Sequence, residues 1–485
     1  MLKKLVGKYN DLPIQARASF WFLICTFTQK VINVITVPIF TRLMTTFEYG
    51  EYNVYTSWLG IFTVFISLNL SLGGFVRGLI KFSDRKNEFA SSMQSLTLIL
   101  VIAWIIIYLP FSSQINKLTG LNTTKTLLMI TTIWLTSVFG FWAAEQRVDY
   151  QYKKLVPITL SVAIGGQALG VALFYVLKDK VCARILGIVI VDALVYFWLF
   201  GLDLFRGRRI FDWEFWRYSL FFNLPLVPHY LSQVVLNSSD RIMIDRMVGS
   251  RAAGIYGLAY SISQVMTMFN IALFQTVEPW LYRKINEKKI EDIRPIAYIS
   301  FILIASVNLV LIIFAPEIIS IFAPMEYYEA IWVIPPIAMS VFFSFSYYFF
   351  AVFEYYYENT KPIAIASCIG AILNVALNYL LIPIYGYYVA GYTTLVCFIV
   401  YTFFHYIFMH RICIENLNGM EPFSISVFIL ISILFIVCGF VISITYHISP
   451  FVRYVIAIVF LMILIIHKNR LFDLVKKIMS MRSTK

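Results

Sequence analysis

Lys30 lies near the middle of an apolar run extending from about residue 16 to residue 40, where a lone cation costs roughly 2.5–3.5 kcal/mol on membrane-insertion scales. Thr26, Gln29, Asn33 and Thr36 accompany it at three- and four-residue steps, so hydroxyls, amides and an ammonium share one helical face. A face of this kind belongs on a cavity wall. Comparable stripes recur: Thr63, Ser67, Ser71 and Gly74 leading to Arg77; then His229, Gln233, Asn237 and Asp240 with Arg241; then Ser263 and Gln264, Thr267 and Asn270. Each stripe is either the wall of a wet cavity or a set of contacts between packed helices, and such contacts average only about 0.6 kcal/mol. For Lys30 the two readings are a charge facing a cavity and a buried pair with a carboxylate such as Asp192. Asp192 is itself in the middle of an apolar run and is a candidate for ion coupling. Arg77, Arg241 and Arg283 are weaker candidates, because arginines near the ends of apolar runs commonly contact headgroups or set orientation.

Residues for other chemistries do not gather into a pattern. The six cysteines (Cys25, Cys182, Cys368, Cys397, Cys413, Cys438) are scattered, with no C-x-x-C, and the five histidines (His229, His405, His410, His447, His467) are dispersed. There is no H-E-x-x-H and no glycine-rich phosphate loop, so a metal centre, a nucleotide site and catalytic residues are not expected, nor is any cofactor. The net charge of +13 is read as membrane orientation rather than nucleic-acid binding.

The elements that must position these residues are membrane spans. Of 485 residues, 60% are hydrophobic and 13% charged, against about 45–50% and 25% in a soluble domain. With about 20 apolar residues per crossing, the chain holds about fourteen spans. Hydropathy places them near residues 16–40, 52–76, 91–113, 125–146, 156–177, 182–204, 219–239, 254–278, 296–316, 331–353, 363–383, 387–409, 423–446 and 452–467. If the N-terminus is cytoplasmic, that side carries 28 Lys and Arg and the other 10, which predicts both termini in the cytoplasm. The first run is too long for a signal-peptide core, although Lys3, Lys4 and Lys8 precede it, and is expected to remain as the first span.

A repeat organises the spans. Arg42-x7-Gly50-x-Tyr52 follows the first and Arg246-x7-Gly254-x-Tyr256 follows the seventh, 204 residues apart, and Asn33 matches Asn237 at the same offset. Two six-span units with two additional helices follow from this. Glycine there predicts a tight turn, and tyrosine an interfacial anchor; the motif reads either as a gate or as a loop anchor. Pro38, Pro225, Pro228, Pro335, Pro336 and Pro383 interrupt or edge the spans and read as hinges or as simple kinks.

PIFTR followed by FEYGEY (Pro38–Arg42, Phe47–Tyr52), DRMVGSRAAGIYGLAYSI (Asp245–Ile262) and NVALNYLLIPIYGYYVAGYTTL (Asn374–Leu395) resemble polysaccharide-export flippases of the Wzx type. These lie within the multidrug/oligosaccharidyl-lipid/polysaccharide (MOP) exporter superfamily, and the resemblance covers essentially the whole chain. It implies an all-α polytopic membrane protein with two pseudo-symmetric, MATE-like six-helix bundles (1–215 and 216–410) and a C-terminal pair of helices with a basic tail (411–485). It further implies a bacterial inner-membrane protein, not an enzyme, that passes an undecaprenyl-diphosphate-linked oligosaccharide to the outer leaflet by alternating access through a central polar, cationic cavity. The expected partners are that lipid-linked oligosaccharide, membrane lipids, a polysaccharide polymerase and a chain-length regulator. In lipid II flippases, more distant relatives, cations occupy the first helices of the cavity, and Lys30 looks like their counterpart. The alternative on the same fold is a multidrug or cation-coupled antiporter.

Overall fold

The computed structural model describes residues 13–359 and 361–466, and every regular element among them is helical. The lysines at 3, 4 and 8, His467 and the basic tail lie outside the described residues. The α-helices are α1 Ile14–Leu43, α2 Thr46–Ser67, α3 Gly73–Lys81, α4 Lys86–Tyr108, α5 Ser112–Thr119, α6 Thr123–Val148, α7 Tyr152–Leu173, α8 Lys180–Gly207 and α9 Trp213–Asn223. They continue as α10 Val227–Met247, α11 Ser250–Ser263, α12 Val265–Asn286, α13 Ile293–Ile313, α14 Ala315–Phe322, α15 Ile334–Tyr356, α16 Lys361–Tyr385, α17 Val389–Asn416, α18 Ile425–Ile444 and α19 Pro450–Ile466.

Eleven helical stretches among the described residues are long and apolar enough to cross a membrane, and they coincide with eleven of the fourteen expected spans. The second, seventh and fourteenth differ for identifiable reasons. The second is broken: α2 ends at Ser67, Leu68 and Asn69 adopt φ of 50° and 49°, and the chain restarts as α3. At 22 residues, or about 33 Å, α2 still matches a hydrocarbon core of about 30 Å. The seventh is split by a short 3-10 turn containing Pro225, and its second part, α10, carries Asp240, Arg241, Asp245 and Arg246. The fourteenth, α19, is 17 residues long. Fourteen crossings are compatible with this arrangement. Of the other prolines, Pro38 and Pro383 lie inside helices, whereas Pro335 and Pro336 occupy the first turn of α15, a position that needs no N–H from them.

The chain divides into two compact units between Val234 and Val235, inside α10 and further along than the expected boundary at 215/216. In the first unit α9 is tied to its neighbours by aromatic packing, with Phe215 edge-on against Phe82 and Phe89, and Phe75 of α3 packs edge-on against Phe141 of α6. Asp212 caps α9, accepting from the backbone N–H of Glu214 and Phe215 at 3.0 and 3.4 Å, and Arg85 reaches it at 2.8 Å. That guanidinium pair and the cap together hold the Asp212 carboxyl below its usual range despite partial burial. Helices α7 and α8 meet along glycines: a Cβ on Gly187 would lie 2.3 Å from the Gly170 nitrogen, so only hydrogen there lets the backbones approach this closely.

The second unit is built round α15, whose side chains from Ile334 to Val352 are nearly all buried, as expected of a helix that is apolar on every side. Phe301 of α13 packs against Phe345, Phe349 and Phe350 of α15 and against Phe428 of α18. Helix α19 docks onto the same unit: Arg453 and Tyr454 donate to Glu317 at 2.7 and 2.9 Å.

Candidate functional site

On α1 the polar stripe is only partly covered. Lys30 is half-buried, Thr26 and Asn33 are exposed, and Thr36 is buried. The Thr26 and Thr36 hydroxyls return to the helix's own carbonyls, donating to Phe22 O at 2.9 Å and Asn33 O at 2.8 Å. Among the described residues Lys30 forms no ion pair, and Asp192, buried on α8, forms none either. The alternative reading of a Lys30–Asp192 pair is therefore not what the structure contains. Arg77, on α3, is exposed with its guanidinium 5.2 Å above the Phe222 ring.

The repeated motif behaves differently from the expected turn. Gly50 lies buried inside α2 and Gly254 buried inside α11, and neither has positive φ. The turns precede them: Thr45 and Glu48 form a capping box that starts α2, and Gly249, at φ 126°, precedes α11. Of the motif tyrosines, Tyr52 is half-buried and Tyr256 buried, each against a charged side chain. Arg42 and Arg246 remain exposed, Arg42 donating to Pro38 O at 2.9 Å. Tyr52 covers a cation: Arg184 of α8, 6% exposed, is sandwiched with its guanidinium carbon 3.7 Å from the Tyr52 ring centre and 3.8 Å from that of Phe40. Flat stacking of this kind suits guanidinium and not ammonium.

Tyr256, in the second unit, covers an anion. Its hydroxyl donates at 2.6 Å to Asp240, which is 1% exposed and also accepts from Thr394 at 2.8 Å and Asn378 at 2.7 Å. The network extends outward as Thr393 donates to Asn378 Oδ1 at 2.5 Å and Ser239 to Asn374 Oδ1 at 2.9 Å. One carboxylate thus joins α10, α11, α16 and α17 through neutral donors, the pattern a buried acceptor-only group requires. At the rim of the network Arg241 donates to Asn237 O at 2.5 Å, its guanidinium lies 4.2 Å from the Tyr260 ring, and the Tyr260 hydroxyl reaches Asn237 Oδ1 at 3.3 Å. Asn237, Arg241 and Tyr260 are therefore brought together, with Gln233 half-buried one turn earlier on α10. Thr267 and Asn270 are used elsewhere: Thr267 donates to Gln264 O at 2.6 Å, and Asn270, buried, donates to Val341 O of α15 at 3.0 Å.

Sequence reasoning missed Arg184 between Tyr52 and Phe40, and Asp240 as the centre of a network with Asn374, Asn378, Thr393 and Thr394. The i, i+4 pair Asn374 and Asn378 on an apolar helix was the available signal. Among the described residues no three His, Cys, Asp or Glu side chains cluster as metal ligands.

In the segment joining α16 and α17, Tyr387 and Tyr388 donate to Glu329 Oε2 at 2.6 and 2.9 Å. These bonds, Tyr387's first, hold the Glu329 carboxyl below its ordinary value of 4.5. The stabilisation is present above that value and is lost as pH falls through the lowered one. Glu329→Gln should therefore lower the Tm of the detergent-solubilised protein at neutral pH, with the gap to wild type closing on acidification. A gap that widened in acid would contradict the assignment.

Residues 16–284, more than half of the chain, match the family of polysaccharide biosynthesis proteins. The chain belongs to that family. Residues 225–380 also match the MatE family. A protein of the Lsg locus of Haemophilus influenzae is 24% identical over 380 residues, covering 73% of this chain and 88% of the relative. The lipid II flippase MurJ, in an inward closed conformation, superposes with a TM-score of 0.66 at 15% identity, over 92% of this chain and 99% of that one. An inward-facing multidrug resistance MATE transporter of the MOP superfamily gives 0.60 at 14% identity, over 81% and 96%. This polysaccharide biosynthesis family member is thus a multi-pass, MATE-like membrane protein, in agreement with the resemblance carried by the motifs.

Proposed function

We propose that the chain moves a polyprenyl-diphosphate-linked oligosaccharide repeat unit from the cytoplasmic to the outer leaflet of the bacterial inner membrane, in the synthesis of capsule, O-antigen or exopolysaccharide. Lys30 is the observation that carries this reading. A cation that forms no ion pair among the described residues, half-buried in mid-span beside exposed Thr26 and Asn33, is costly against lipid and suited to an anionic headgroup. A diphosphate brings about two negative charges, and charge-assisted donors offset much of its desolvation. The polar faces of α1 and of α10 with α11 are the transport surfaces in this reading, with Arg77, Gln233, Asn237 and Arg241 in supporting roles.

No nucleotide is required. Two charges leaving an inside-negative cytoplasm through 100 mV release roughly 4.6 kcal/mol, at about 2.3 kcal/mol per charge. The purified protein in liposomes carrying lipid-linked repeat units should expose the sugars to an impermeant periodate probe, and the direction should follow an imposed potential. No exposure at either sign of potential, with uptake of cationic drugs instead, would overturn the flippase reading in favour of an antiporter.

A further inference from the structure

Glu354 and His405 are both 0% exposed, and the imidazole Nδ1 lies 2.6 Å from the carboxylate Oε1. Their other two polar atoms, Glu354 Oε2 and His405 Nε2, are buried without a hydrogen-bond partner. The ring of Tyr347 stands 5.2 Å from the imidazole and that of Tyr401 4.5 Å, closing an aromatic box. Neither member pairs with a lysine or arginine among the described residues. The titratable groups nearby are few. On α15 they are Tyr347, Tyr348 and Tyr355; on α17, Tyr401, whose hydroxyl meets the neutral Ser367 of α16 at 3.4 Å. Glu278 and Tyr282 of α12 lie toward Tyr355 rather than toward the pair, and Phe301 and Phe428 present only rings from α13 and α18.

Proton counting gives this box a function. With hydrogen on both imidazole nitrogens, the pair is an imidazolium against a carboxylate and is neutral overall. Loss of the Nε2 proton to water leaves a neutral imidazole and the carboxylate, so the box goes from zero to minus one with no cation to answer it. A net charge in such a place is unfavourable unless water enters or the helices separate.

We propose that Glu354–His405 is a binding site for one exchangeable proton, occupied while α15 and α17 are closed on each other and vacated when they part. Helix α17 carries the consequence: Thr402 donates to Phe343 O at 2.9 Å midway, and Thr394, eleven residues or about 17 Å along the same helix, holds Asp240. Proton occupancy at the middle of α17 is thereby connected to the Asp240 network near its N-terminal end. This rests on the transport reading only for its effect on flux.

Two measurements separate the claims. In detergent without substrate, the pH-difference infrared spectrum between about pH 5.5 and pH 8.5 should contain carboxylate and imidazole bands that vanish in Glu354→Gln. The double variant Glu354→Gln/His405→Gln, which keeps an amide–amide hydrogen bond, should fold and lack them too. In liposomes, wild-type flux of lipid-linked repeat units should change with internal pH by up to about tenfold per pH unit, the limit for a one-proton step, and the double variant should lose that dependence. Identical infrared spectra for wild type and double variant would overturn the proton site. Bands present with no flux of lipid-linked sugar would sustain the site and overturn the flippase reading.

Discussion

Lys30→Ala is expected to lower polymer export by about 10- to 150-fold, the equivalent of a lost hydrogen bond to a charged group worth about 1.5–3 kcal/mol. Membrane insertion should not suffer, because the substitution removes a mid-span cation that itself costs roughly 2.5–3.5 kcal/mol. Lys30→Arg should keep part of the activity, since the charge persists while its geometry changes. Export is measured as surface polysaccharide per unit of protein in the membrane fraction. Should Lys30→Gln export as well as wild type, the charge would be irrelevant, and donor geometry alone would have to explain the stripe.

Asp240→Ala should be the most destabilising single change in the second unit. It strands the Tyr256 hydroxyl, the Thr394 hydroxyl and the Asn378 amide, all three at 2.6–2.8 Å from the carboxylate and buried. Each stranded donor costs about 1–3 kcal/mol, so the total is about 3 kcal/mol or more. At about 2–4 °C per kcal/mol for a unit of this size, the Tm in detergent should fall by roughly 6–12 °C. Asp240→Asn should fall less, because its amide oxygen still accepts. A fall of under 2 °C for the alanine variant would mean that water or a shifted side chain replaces the carboxylate without strain.

How far the sequence was legible depended on how local the governing interaction was. Apolar runs marked the spans because burial in lipid acts on each segment separately, and eleven of fourteen emerged as continuous apolar helical stretches. The break at Leu68 and Asn69 was invisible, because neither residue is the glycine that a left-handed backbone usually selects. The start of α2 was legible but misread. Thr45-x-x-Glu48 is a capping-box pattern, and it moves Gly50 from the turn into the helix. Asn270 looked like a cavity donor, yet a stripe at helical spacing reports only the face, and that face meets the carbonyl of Val341. Asp240 and its partners Asn378 and Thr394 stand 138 and 154 residues apart, and Glu354 and His405 stand 51 apart. No local pattern connects such distances, so an isolated histidine in an apolar run concealed its partner.

Tyr52 and Tyr256 hold the same place in the two Arg-x7-Gly-x-Tyr motifs and face opposite charges, the guanidinium of Arg184 and the carboxylate of Asp240. An assembly of two identical subunits could not have acquired this, since any mutation in the gene would have altered both copies together. Within one chain each motif can change independently. At the 204-residue offset, Thr36 stands where the second copy holds Asp240, so the first copy has no carboxylate at that position. The same residue type serves both surroundings, as an aromatic face that accepts a cation and a hydroxyl that donates to an anion belong to the same side chain.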